Sequence, residues 1–295
     1  MKENFILSCE STVDMPYPYL KKRNIPVIFY TYSIDGKEYV DDMLRDKDAL
    51  PEFYDNLKNG KVPSTSQINK YRYTEYFEEL LQKGNVLHIA FGSGMTPSVN
   101  NAVESAKELQ EKYPDRKIIV IDSLCSSSGY GMLVDMAADM SDNGKDVKEI
   151  INMIENYCTK IHHQFFSTDI KYLKRSGRVS GITATVATVL GICPIMHLNR
   201  KGSIVAYDKV RGKKNAFQKT VDEMKEHAKD GSDYNGKCFI CHSDCIDDAK
   251  VLKEMIKKEF TKINEIKIFD IGTIIASHSG AGTVAVFFVG DERAV

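Results

Sequence analysis

Val86-Leu87-His88-Ile89-Ala90-Phe91-Gly92-Ser93-Gly94-Met95-Thr96-Pro97-Ser98 sets an apolar run directly before a cluster of glycines and hydroxyls. Helical apolar spacing follows from Val99 to Lys112, and Lys117-Ile118-Ile119-Val120-Ile121 reads as the next strand. Strand, small-residue loop, helix and strand in succession is the rhythm of a parallel sheet covered on both faces. Upstream, Phe5-Ile6-Leu7-Ser8 is a buried strand. Ile25 to Ile34 is strand-like and closes at Asp35-Gly36, a hairpin signal before Lys37-Glu38-Tyr39-Val40. Helical spacing over 69–83, 129–140 and 147–160 completes this half.

After about Ile161 the rhythm changes. Gln164 to Ser167, Cys193 to Leu198 and Ser203 to Tyr207 read as strands, the last two joined by the turn Asn199-Arg200-Lys201-Gly202. Helices are expected over 214–228 and 247–260, strands over 238–241 and 265–269, and a closing apolar run over 282–289. Hairpins mixed with helices imply a mixed sheet. The fold class is therefore α/β in two domains, a parallel-sheet α/β/α domain over 1–162 and a mixed-sheet α/β domain over 163–295.

Four hydroxyl- and glycine-rich clusters fall where strands are expected to end. They are Ser64-Thr65-Ser66-Gln67, the Gly92–Ser98 loop, Arg175-Ser176-Gly177-Arg178-Val179-Ser180, and Ser277-His278-Ser279-Gly280-Ala281-Gly282. Small residues at strand ends let backbone and hydroxyl donors come close to a ligand. These clusters contain neutral donors, arginines and a histidine but no carboxylate pair, which suits holding an anionic head group better than cutting a bond.

Composition excludes several classes. The chain is 42% hydrophobic and 27% charged, ordinary for a soluble globular protein. Forty basic and 41 acidic residues cancel, so no global field recruits nucleic acid. The first residues lack a signal-peptide pattern and no stretch approaches membrane-spanning length. Seven cysteines without a framework spacing read as reduced cytosolic thiols, and the expected location is cytoplasmic. Cys238-Phe239-Ile240-Cys241-His242 matches a haem-attachment pattern, yet sits in an apolar run and reads as a core strand. Gly92-Ser93-Gly94 and Gly129-Tyr130-Gly131 lack the third glycine of a dinucleotide fingerprint. No metal or cofactor is expected. The enzyme alternative is a serine-dependent small-ester hydrolase using Ser93 and His278, although the nucleophile-elbow pattern is missing. Uncharged Gly181 to Gly191 reads as a buried helix of small residues that leaves room for an apolar ligand.

Taken in order, the clusters resemble the DegV family of fatty-acid-binding proteins over nearly the whole chain. The resemblance rests on Cys9-Glu10-Ser11-Thr12, Pro63-Ser64-Thr65-Ser66-Gln67, Ile121-Asp122-Ser123, Tyr172 to Ser180, Pro194-Ile195, Lys209-Val210-Arg211-Gly212-Lys213 and His278-Ser279-Gly280-Ala281-Gly282. Two departures stand out. Glu10 replaces the family's usual aspartate, and Pro97 removes a backbone donor from the Gly92–Ser98 loop. The resemblance implies a non-enzymatic carrier that encloses one long-chain fatty acid between its halves and presents it to a separate fatty acid kinase, with transient membrane contact. By the same resemblance, Thr65, Ser93 and Thr96 hold the carboxylate. Arg178, Arg211 and His278 form the polar network at the mouth or dock the kinase.

Overall fold

A computed structural model describes residues 5–180, 191–263 and 265–295. Its first half runs through β1 (Phe5–Glu10), α1 (Tyr17–Lys22), β2 (Val27–Ile28), β3 (Thr31–Ile34), β4 (Lys37–Val40), α2 (Ala49–Lys58) and β5 (Ser64–Ser66). It continues with α3 (Lys70–Leu81), β6 (Asn85–Ala90), α4 (Ser98–Lys112), β7 (Ile118–Asp122), α5 (Ser127–Asp142) and α6 (Val147–Tyr157). The second half holds β8 (Ile161–Ser167), α7 (Lys171–Ser176), β9 (Val179–Ser180), β10 (Ile192–Leu198), β11 (Ile204–Arg211) and α8 (Lys213–His227). It ends with β12 (Cys238–His242), α9 (Ile246–Glu259), β13 (Ile266–Asp270), α10 (Thr273–Ser279) and β14 (Thr283–Val289).

Three sheets result. β2-β1-β6-β7 is parallel throughout, as the strand–helix alternation predicts. β13-β12-β14-β8-β10-β11-β9 is mixed, with β8, β10, β11, β12 and β14 joined by antiparallel pairings. The third, antiparallel sheet β4-β3-β5 extends the Asp35-Gly36 hairpin, whose two turn residues have φ of 52° and 79°, the signature of a type I′ turn. The segment Ile25 to Ile34 is not one strand. It breaks after Ile28 because the Tyr30 N–H donates to Ser11 Oγ and the Phe29 carbonyl accepts from Arg72, so both leave the ladder and β3 joins a different sheet.

Helix α5 is the centre of the assembly. Its first dozen residues are almost all buried, and it packs against β1 on one side and β8, β12 and β14 on the other. Gly129 makes that closeness possible, since a Cβ there would lie 2.3 Å from His163 Nε2 and 2.6 Å from the Phe287 ring. Helices α3 and α4 cover the outer face of the parallel sheet, and α8 and α9 cover the outer face of the mixed sheet. One continuous apolar core runs through both halves. The mixed sheet begins at Ile161. The Gly181–Leu190 run lies outside the described residues.

Three clusters sit differently from the expectation. The cluster over 175–180 spans the end of helix α7 and strand β9 rather than a strand end. Ser64–Ser66 is itself a strand, β5, paired antiparallel to β3, rather than the end of one. Ser277, His278 and Ser279 form the last turn of α10, which packs against β3, β5 and α7.

Candidate functional site

A cavity of about 190 Å³ lies between the inner face of the mixed sheet and the first half. Strand alternation builds its floor. Thr283, Ala285 and Phe287 of β14 face it beside His163 and Phe165 of β8, while Val284, Val286 and Phe288 take the opposite face. Buried Tyr30, Leu173, Leu198 and Ile274 complete an apolar interior. The lining turns polar where it opens. Thr65, Ser66, Gln67, Thr96, Ser176 and Arg178 are all at least partly exposed.

The mouth is organised by His278. Its Nε2 forms a 2.8 Å hydrogen bond with Thr65 Oγ1, joining α10 to β5. Burial, together with the nearby guanidinium groups of Arg178 and Arg175, pushes the His278 pKa down to about 4. The imidazole is therefore neutral at pH 7, and Thr65 and His278 present uncharged groups beside the positive Arg178. Arg178 is exposed, and its own guanidinium donates to the Ser176 carbonyl. Thr96 Oγ1 accepts from the Ser98 N–H at 3.4 Å, a long contact at the start of α4.

Thr65, Thr96, Arg178 and His278 thus line one cavity, whereas Ser93 and Arg211 do not. Ser93 is exposed, and its backbone N–H donates to Asp122. Its neighbours Met95 and Thr96 do line the cavity, and Gly94 brings the loop against a second one, since a Cβ there would lie 2.3 Å from the Gly202 backbone. Arg211 is exposed at the far end of β11, paired with Ile192.

A family model described as "Uncharacterised protein, DegV family" matches residues 7–291. A DegV domain-containing protein of Clostridium perfringens is 35% identical over 99% of both chains. The chain belongs to the DegV family. A relative from Thermotoga maritima named as a fatty acid-binding protein is 28% identical to this DegV protein over 93% of its length and 94% of the relative's. Among solved structures, a fatty acid binding DegV protein of Streptococcus agalactiae superimposes with a TM-score of 0.83 at 27% identity, covering 98% of this chain and all (100%) of its own. A DegV protein of Eubacterium eligens loaded with heptadecanoic acid has the same fold, with a TM-score of 0.84 at 23% identity, covering 98% of this chain and 100% of its own.

Within this DegV fold, the hydrolase pairing of Ser93 with His278 is not formed, because His278 Nε2 is engaged by Thr65 and Ser93 lies outside the cavity. Cys238 to His242 is buried throughout as β12, a core strand flanked by β13 and β14. Among the described residues no helix is long and apolar enough to cross a membrane. Sequence reading missed the inner polar groups. Ser126 and Ser127 line the cavity at the start of α5; the Ser126 N–H donates to His163 Nε2, and Ser127 Oγ donates to Asp14. Cys125-Ser126-Ser127-Ser128-Gly129 is a hydroxyl-and-glycine cluster after strand β7, as Gly92–Ser98 is after β6, and was the available signal.

Proposed function

We propose that this DegV protein is a non-enzymatic carrier that holds one long-chain fatty acid in the cavity and presents its carboxylate to a separate fatty acid kinase. The observation that carries the reading is an apolar chamber opening onto hydroxyls and a neutral imidazole. Burying an acyl chain gains roughly 0.8 kcal/mol per methylene, so a dozen give on the order of 10 kcal/mol before association costs. The carboxylate then needs donors, since an unpaired buried charge is costly. Thr65 and Thr96 supply them without fixing both oxygens, which leaves one free to attack a phosphoryl group. A bidentate arginine clamp would blunt that attack.

Phosphoryl transfer requires a nucleotide cradle, and this sequence has no P-loop, so ATP and magnesium belong to the partner. Arg178 at the mouth and Arg211 on the β11 end are assigned to orienting the head group and docking that kinase. The carrier is cytoplasmic, touches the membrane transiently to exchange lipid, and is divided into domains near residue 162, with the cavity between them. Denaturing extraction and mass spectrometry of purified protein tests the reading: about one fatty acid per chain is expected. Protein that yields no lipid and fails to bind added oleate overturns it.

A further inference from the structure

We infer that His162, His227 and Asp291 form a binding site for a borderline divalent cation of the zinc type, on the opposite face of the mixed sheet from the cavity. His162 follows Ile161 on β8 and, by alternation, points away from the chamber that His163 lines. Its ring lies near-parallel to that of Phe288, with centroids 5.1 Å apart, and to that of His227, at 5.0 Å and 19°. His227 is the last residue of α8, and Asp291 lies just beyond β14.

The backbone holds these three segments together. The Asp291 N–H donates to the His227 carbonyl at 3.1 Å, and the Gly290 N–H donates to the Lys160 carbonyl at 2.8 Å. Only glycine fits at 290, since a Cβ would lie 2.2 Å from the His227 carbonyl oxygen and 2.7 Å from the His162 ring.

The donor geometry suits a metal. Asp291 Oδ1 lies 3.0 Å from His162 Nε2 and 3.2 Å from His227 Nδ1, and one ligand atom from each residue falls within 4.8 Å of the others. Zinc–nitrogen and zinc–oxygen bonds of about 2.0–2.1 Å in a tetrahedron place neighbouring ligands about 3.3 Å apart. A second observation points the same way. The far nitrogen of His227, Nε2, faces buried Glu223 at 3.7 Å, and Glu223 is itself held by Lys219 at 2.7 Å. A carboxylate that accepts from the far imidazole N–H fixes and strengthens a metal-ligating histidine, and Glu223 stands as an ion-pair neighbour on that side of the ring. Two imidazoles and one carboxylate select zinc-like ions over magnesium or calcium. Partial exposure of His227 and Asp291 gives the ion an entry path, with water completing the shell. Arg293, two residues after Asp291, does not compete. It turns inward, donating to the carbonyls of Leu124, Cys158 and Ile161. A bound ion would therefore pin the segment that carries this arginine.

The test is equilibrium dialysis of the full chain against Zn²⁺ with elemental analysis, together with Co²⁺ titration read by visible absorption. About one Zn²⁺ per chain, intense four-coordinate Co²⁺ bands and a raised Tm are expected. His227→Asn and Asp291→Asn, both at partly exposed positions, should each weaken Zn²⁺ binding at least about tenfold, and Glu223→Gln by about tenfold, while oleate binding stays within about twofold. Wild-type protein that takes up no Zn²⁺, or variants that bind it as tightly as wild type, would overturn the site and leave only a hydrogen-bonded cluster. Because oleate binding is measured separately, loss of the carrier function does not mimic loss of the metal.

Discussion

Thr65→Val isolates the head-group interaction from everything else in the cavity. Valine preserves the branched shape that β5 needs where Thr65 pairs with Tyr32, and deletes only the hydroxyl. Two contacts go with it: the 2.8 Å hydrogen bond to His278 Nε2 and the proposed one to the ligand carboxylate. A hydrogen bond to a charged group is worth roughly 1.5–3 kcal/mol, which is roughly ten- to a hundredfold in affinity. The acyl chain contributes on the order of 10 kcal/mol, so the variant still binds lipid. The informative quantity is a difference between ligands. Displacement of a fluorescent fatty acid by oleate should weaken roughly ten- to a hundredfold in Thr65→Val, while displacement by oleyl alcohol changes by less than about threefold. The free imidazole lies at a partly open mouth, where water replaces the lost partner. Equal losses for acid and alcohol would show that Thr65 supports the wall rather than gripping a carboxylate. No loss for either would remove it from the site.

Four further outcomes are expected. Thr96→Val should weaken oleate binding by about tenfold, read in the same displacement assay. Ser93→Ala, at an exposed position outside the cavity, should leave it within about twofold; a larger loss would mean the loop reorients around ligand. His278→Ala and Arg211→Ala should lower the rate of acyl phosphate formation with a fatty acid kinase more than they lower oleate affinity, and unchanged turnover contradicts both assignments. Stability should peak near pH 6.5. Below it, His162 and His278 stay neutral in the fold down to about 4 but take up protons on unfolding, so acid destabilises. Burial has raised the Asp14 pKa to about 8, so between about pH 4 and 8 the folded state holds a proton that the unfolded chain has released, and this contribution falls by up to about 1.4 kcal/mol per pH unit; above about 6.5, where the histidines no longer offset it, stability declines until about pH 8. Asp14→Asn should flatten that upper limb in denaturant melts at pH 6.5 and 8; parallel curves for the two proteins would refute the assignment.

Where periodicity was strong, the sequence and the fold agree: β6, α4, β7, α8, α9 and β14 lie within a residue or two of their expected spans. Where it was weak, tertiary contacts made the decision. Thr273-Ile274-Ile275-Ala276-Ser277-His278-Ser279 is poor in helix formers, yet α10 forms because Ile274 and Ala276 are buried and Thr273 is anchored on Asp41. Ser64–Ser66 carries no apolar alternation, and becomes a strand through pairing with β3 and a hydroxyl contact between Ser33 and Ser64. Nothing local distinguishes these segments from loops.

The same limit explains the split among the site residues. Of the six residues the clusters and the resemblance offered, Thr65, Thr96, Arg178 and His278 line the cavity. Which hydroxyl in a cluster faces inward depends on what the neighbouring glycines touch, and that is a property of the assembled halves. Gly94 meets Gly202 and Gly129 meets His163, both closer than any side chain would allow. These contacts draw loop against loop and α5 against the mixed sheet; in the assembled chamber Ser93 is exposed while Ser126 and Ser127 face in. Gly94, first read as access for a ligand, is instead a loop-to-loop contact, and Gly129 a helix-to-sheet contact. Enlarging Gly94 or Gly129 should therefore separate the halves before it touches any head-group donor.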